Sequence, residues 1–303
     1  MNRRSPIFFF LIIALVAATA ILIADGKTDS SRKAVLPLPN GPAPIGAFRF
    51  AVLGDTGTGK RGQLDIADRL SRFNQERPYD TALLLGDNIY QSGKPADLEK
   101  KFERPYADLL RRGVRFYAVL GNHDVRKGRQ AQMNYPLFNM GGRAYYSFVK
   151  GDGLIEFFAI DSTLVDQEQL RWLDGALANS SARWKIAFFH HPIYSSGKSH
   201  GSDLKLRAKL EPIFVRGGVA AVFSGHDHVY ERILPQRGIS YFVVGASGQL
   251  RRGDLDRHSA LTAAGNDQVN SFMFVEVTRH RMAFWAVDAG GNILDQGVIA
   301  PLP

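Results

Sequence analysis

The chain has 303 residues and no cysteine, so its length suits one large domain or two small ones, and disulfides, thiolate metal sites and cysteine nucleophiles are excluded. Lysine and arginine number 38 against 29 acidic residues, a net charge of +9. No basic helix with interleaved aromatics accompanies that charge. It is read first as simple solubility, the alternative being a surface that attracts anionic substrates or lipid headgroups, with no nucleic acid expected as a partner.

Arg3 and Arg4 precede an apolar run over residues 7–24, which Asp25 ends. This is the layout of a signal peptide or an N-terminal membrane anchor, at the short edge for crossing a bilayer. Ala18-Thr19-Ala20 offers a small-residue cleavage site, while the apolar residues after it favour retention. The positive-inside rule then puts the bulk of the chain in an exported compartment, periplasmic or extracellular, in contact with the membrane or the export machinery through this segment. Residues 25–47, rich in Pro, Gly, Ser and Lys, read as a flexible linker, and the folded domain is expected over 48–303.

The first apolar run, 48–53, reads as a strand and delivers Gly54-Asp55-Thr56-Gly57. Gly54, Gly59 and Lys60 match a phosphate-binding loop in spacing, but Arg61 stands where a hydroxyl residue is needed and Asp55 would put a carboxylate in the cradle. Asp55 as a metal ligand fits better. Residues 63–73 show helical spacing. The run 81–85 reads as a buried strand that delivers Gly86-Asp87-Asn88-Ile89-Tyr90. The two oxygens of Asp87 suit it to bridge two cations, and Tyr90 can reach the same centre. A second helix is expected over 96–110, interrupted by Pro105, and a third strand over 116–120 delivers Gly121-Asn122-His123-Asp124. Parallel strands joined by right-handed crossovers would bring Asp55, Asp87 and Asn122 to one sheet edge. His123 can bind a metal or face a substrate oxyanion.

Residues 126–142 read as a polar loop, and 144–149 with 154–160 as a hairpin. Asp161 is expected to serve a turn or cap rather than a metal. A helix capped by Asp166 is expected to run to Leu177. The strand 184–189 ends at His190-His191-Pro192, and a Gly/Ser-rich loop over 195–202 carries His200. After a helix over 204–214, the strand 219–223 leads into Ser224-Gly225-His226-Asp227-His228. Imidazoles two apart in an extended segment face the same side. Alternating runs at 239–244, 272–277 and 282–287 are expected as antiparallel strands of a second sheet, around a long polar insertion over 250–270.

Asp55, Asp87, Tyr90, Asn122, His190, His226 and His228 form a mixed oxygen and imidazole set suited to zinc, manganese or iron. Seven ligands exceed one centre and fit two sharing a bridge, an arrangement that can hold a phosphoryl oxygen and activate hydroxide. No Gly-x-Ser-x-Gly elbow points to a serine hydrolase.

The series Gly-Asp-Thr-Gly, Gly-Asp-Asn-Ile-Tyr, Gly-Asn-His-Asp, His-His-Pro and Gly-His-Asp-His resembles the calcineurin-like metallophosphoesterases, and within them the purple acid phosphatases of the small tartrate-resistant type. That resemblance implies an α/β fold, a four-layer α/β-β/α sandwich with a dinuclear site at the sheet rim. It implies Fe(III) on Asp55, Asp87, Tyr90 and His228, and Fe(II), Zn or Mn on Asp87, Asn122, His190 and His226. It further implies that His123 contacts the phosphate and that His200 faces the leaving group; His191 stands where the family often has Tyr or Ser. The expected activity is hydrolysis of a small-molecule phosphomonoester by metal-activated hydroxide. The alternatives are a phosphodiesterase or nucleotide pyrophosphatase of the same fold, and a non-catalytic metal-bearing binding module.

Overall fold

The computed structural model describes residues 37–39 and 41–302. The N-terminal apolar run and most of the expected linker lie outside the described residues. Among those described, no helix is long and apolar enough to cross a membrane.

Strand β1 (Phe48–Leu53) leads into helix α1 (Arg61–Glu76) and strand β2 (Thr81–Leu84). The helix expected over 96–110 is broken into a 3₁₀ turn at Pro95–Asp97, a π turn at Glu99–Glu103 and the short helix α2 (Ala107–Arg111). Pro105 is the cause, since it has no N–H for the carbonyl of Lys101 and its ring crowds that oxygen. The Gln63 side chain takes the vacated Lys101 carbonyl instead, at 2.5 Å. Strand β3 (Arg115–Ala118) follows.

The stretch expected as a polar loop carries helix α3 (Arg129–Met133) and 3₁₀ turns at Asp124–Arg126 and Pro136–Phe138. Its periodic signal is weak because one of its buried anchors, Gln132, is polar and is bonded to Asp124. The hairpin is present as β4 (Tyr146–Lys150) and β5 (Ile155–Ala159), and Asp166 caps α4 (Gln167–Asn179) by accepting from the Gln169 N–H at 2.8 Å. Then come β6 (Trp184–Phe188), α5 (Leu204–Gly217), β7 (Val219–Ser224), β8 (Tyr230–Ile233), β9 (Ser240–Val244), β10 (Thr262–Asn266), β11 (Ser271–Val277), β12 (Met282–Asp288) and β13 (Ile293–Ile299).

Two sheets form, with strand orders β13-β12-β11-β1-β2-β3 and β10-β8-β9-β7-β6-β5-β4. The expectation of one antiparallel second sheet for the C-terminal runs is corrected here. β11 and β12 do pair antiparallel, but β11 joins the first sheet beside β1, with Phe50 opposite Val275. β9 lies in the other sheet, parallel to β7. All seven residues of β11 are buried, which requires cover on both faces and therefore a central position. The insertion expected as long and polar supplies β10 as a half-buried edge strand on β8.

The sheets pack face to face through aromatic contacts, with Phe50 meeting Phe157 edge-on at 5.1 Å and Phe223 at 6.2 Å. Helix α1 covers the outer face of the first sheet, where Phe73 meets Phe274 at 4.9 Å. Helices α4 and α5 cover the second sheet, burying Leu173, Leu177, Leu210 and Phe214 against Phe158 and Phe189. The result is a helix–sheet–sheet–helix sandwich. β1, β2 and β3 run parallel in one sheet and β5, β6, β7 and β9 in the other, and the loops after β1, β2, β3, β6 and β7 meet at one rim.

Candidate metal centre

Each of the seven expected donors leaves the carboxyl end of a parallel strand. Asp55 and Asp87 follow β1 and β2, Tyr90 comes three residues later, Asn122 follows β3, His190 follows β6, and His226 and His228 follow β7. Asp55, Asp87 and His190 are buried, with donor atoms lying within 4.8 Å of one another. The two sheets are tied at this point: His190 Nδ1 donates to the Leu85 carbonyl at 2.9 Å, and the His226 N–H donates to Asp55 Oδ2 at 2.8 Å.

The donors form two overlapping clusters. In the first, the Tyr90 hydroxyl lies 2.8 Å from Asp55 Oδ1 and 3.1 Å from His228 Nε2, which is itself 3.5 Å from Asp55 Oδ1. In the second, His190 Nε2 lies 3.0 Å from Asn122 Oδ1, 3.1 Å from His226 Nδ1 and 3.6 Å from Asp87 Oδ1. The approach of Asp87 depends on Gly121, where a Cβ atom would meet its carboxylate at 2.2 Å. Asp55, Asp87 and His226 also hold left-handed backbone, with φ of 56°, 51° and 71°. That conformation disfavours side-chain-bearing residues and concentrates at functional sites.

This arrangement fits cations. The bond to Leu85 commits His190 Nδ1 as a donor, so Nε2 of the neutral ring points a lone pair at Asn122 Oδ1 and at the nitrogen of His226. A shared cation satisfies all three. The electrostatics agree. Burial pushes the His190 imidazole down, but the Asp87 and Asp55 carboxylates outweigh it and raise it, so the pocket favours positive charge. Burial, with Asp55 and Asp87 adding, drives the Tyr90 hydroxyl far up. A phenolate there requires a compensating cation.

His123 and His200 flank the donors without joining them. The His123 N–H donates to Asp87 Oδ1 at 2.8 Å and its Nδ1 to the Gln91 carbonyl at 2.7 Å. The His200 ring lies 4.1 Å from that of His226. His191 stands 4.5 Å from His226, and its Nδ1 accepts from the Ser162 hydroxyl at 2.9 Å. Burial, with His190 adding, holds its imidazole down at about 3. A cavity of about 380 Å³ opens here, lined by His191, Pro192, Ser199, His200 and Asp203 among others. Asp161 is elsewhere, ion-paired with Arg129 at 2.7 Å and accepting from Thr163.

Three supporting residues escaped the sequence reading. The buried Asp124 carboxylate accepts from the N–H groups of Gly121, Asn88 and Ile89 and from the Asn88 and Gln132 amides, at 2.8–3.2 Å, fastening the second motif to the third. Burial and Asp87 push it up to about 7, and the bonds from Gln132, Gly121 and Asn88 pull the other way. Asp227 accepts from the Ser195 hydroxyl at 2.5 Å and the Gly201 N–H at 3.2 Å, pinning the His200 loop. The extended segment expected around His226 and His228 is corrected here: β7 ends at Ser224 and His226 is left-handed, so alternation gave no signal for Asp227. The third, Arg251, lies 3.4 Å from His200 Nε2 and comes from the polar insertion, where nothing in the sequence marked it.

Residues 48–230 match the family model for calcineurin-like phosphoesterases. The chain is 27% identical to purple acid phosphatase 4 of Arabidopsis thaliana, over 94% of this chain and 92% of that protein. It is 24% identical to tartrate-resistant acid phosphatase type 5 of Mus musculus, over 85% of this chain and 91% of that one. Among solved structures, GAP50, the anchor in the inner membrane complex of Plasmodium, shares the fold at a TM-score of 0.73 and 22% identity, covering 85% of this chain and 90% of that one. The matched model, the order of the strand-end motifs and the two-sheet rim agree, and this chain belongs to the calcineurin-like phosphoesterase family.

Proposed function

We propose that this chain is an acid phosphatase that hydrolyses small-molecule phosphomonoesters at a two-metal centre. The observation that carries the reading is the convergence of seven oxygen and nitrogen donors from both sheets, with Asp87 reaching toward the second cluster. Asp55, Asp87, Tyr90 and His228 would hold Fe(III). Asp87, Asn122, His190 and His226 would hold Fe(II), Zn or Mn. When bound, such a pair neutralises phosphoryl charge and makes water acidic enough to attack phosphorus.

The chain's own groups orient the ester and handle the departing oxygen. The His123 ring is held by its Nδ1 bond to the Gln91 carbonyl, and in its protonated form its Nε2, 3.9 Å from Asp87 Oδ2, donates its N–H to a phosphate oxygen. His200 borders the cavity beside the second cluster and delivers a proton to the leaving oxygen. The cavity of about 380 Å³ gives the leaving group its room on that side.

A fold shared with an anchor protein leaves a non-catalytic binding module as the second reading, and the intact donor set argues against it. Purified protein assayed on nitrophenyl phosphate and bis(nitrophenyl) phosphate separates the readings. The expected kcat/KM is at least about tenfold higher on the monoester, from the second negative charge that its three free phosphoryl oxygens present to the centre. A diester preference would select the phosphodiesterase, and inertness toward both the binding module. Arg3, Arg4 and the 7–24 run support an exported location. A reporter fused after Pro303 should be active outside the cytoplasm, and a cytoplasmic signal would contradict that.

A further inference from the structure

The Leu250–Asp254 region of the insertion is fastened to the site. The Gln249 N–H donates to the Asp55 carbonyl at 3.0 Å, and the Arg251 N–H to the His228 carbonyl at 3.1 Å. The His200 loop is stitched to the same segment: the Lys198 N–H donates to the Asp254 carbonyl at 2.7 Å, the Asp256 N–H to the Ser196 carbonyl at 2.9 Å, and Ser199 bonds the Asp254 carboxylate. This double fastening brings the Arg251 guanidinium to 3.4 Å from His200 Nε2. The side chain is 39% exposed, and its nearest carboxylate oxygen, on Asp254, is 4.0 Å away. A guanidinium has five N–H donors in a planar fork, and among the described residues one is within hydrogen-bond range of a partner, His200.

We infer that Arg251 is a specificity-determining residue: it binds a second anionic group on the leaving side of the phosphomonoester. The inference rests on the phosphatase reading above, and it concerns which esters that site prefers. A permanent cation beside the proposed proton donor favours leaving groups that carry their own phosphate, and inorganic pyrophosphate is the smallest probe. In that reaction one water is consumed and the bond from the bridging oxygen to the attacked phosphorus breaks. The new P–O bond comes from water, and two orthophosphates leave with no change of oxidation state.

The test compares wild type, Arg251→Gln and Arg251→Lys on pyrophosphate and on nitrophenyl phosphate, with metal content measured for each. Arg251→Gln should raise KM for pyrophosphate roughly ten- to a hundredfold, the worth of a hydrogen bond between charged groups, while kinetics on nitrophenyl phosphate stay within about twofold. Arg251→Lys should recover part of the loss, because it keeps the charge without the fork. A loss confined to kcat on pyrophosphate, with KM unchanged, would mean that Arg251 merely positions His200, and would overturn the inference. Unchanged kinetics on both would overturn it as well. A wild type inert toward both substrates would instead overturn the phosphatase reading, and the inference with it.

Discussion

Tyr90 carries the finest distinction in the site, because its hydroxyl touches both Asp55 and His228 while buried beside two carboxylates. Ionising it without a cation is opposed by burial and by like charge. A ferric ion reverses this, and a bound phenolate then absorbs visible light. Iron-loaded protein should therefore be violet to pink, and Tyr90→Phe, which keeps the ring, should be bleached. A colourless iron-loaded wild type would make Tyr90 structural. His200 separates by leaving group. His200→Ala should keep its metals and lose about 10²–10⁴-fold on an alkyl phosphate, with much less on nitrophenyl phosphate, whose leaving group needs no proton. Equal small losses on the two esters would remove the role, and a selective alkyl defect in His191→Ala would move it there.

The element that holds His200 is a loop pinned from below. Gly197 lies against the Asp227 carboxylate, where a Cβ atom would come within 2.4 Å of Cγ, and the Ser196 N–H donates to the buried Glu231 at 2.8 Å. Gly197→Ala should push the loop off its seat and lower kcat on alkyl esters while metal content is retained. Activity unchanged from wild type would show that the loop's seat is irrelevant. This loop also marks the limit of sequence reading. Its Gly/Ser content announced a turn-rich segment, and the place of His200 after His190 suggested a role. Its anchors Asp227, Glu231 and Asp254 are buried carboxylates on other elements, and polar packing of that kind leaves no periodic trace. The same holds for α3, hidden because Gln132 rather than an apolar residue points inward, and for the 96–110 stretch, where Pro105 was visible and the depth of its disruption was not.

At the scale of the whole molecule, the rim was legible because each candidate ligand follows an apolar run, and such runs in parallel sheets end at one edge. The partners of β11 and β12 were not legible, since alternation fixes which face a residue takes and is silent on which strand lies alongside. What the two sheets achieve together is a pocket that neither could build. The first supplies Asp55, Asp87, Tyr90 and Asn122, and the second supplies His190, His226 and His228, with Asp87 near both groups. Elemental analysis of purified wild type and Asp87→Ala, with Asp161→Ala as control, tests this most directly. Two metal ions per chain are expected in wild type and in Asp161→Ala, and at most one in Asp87→Ala, with nearly all turnover gone. Two ions retained in Asp87→Ala, or fewer than two in metal-supplied wild type, would contradict a dinuclear centre bridged by Asp87.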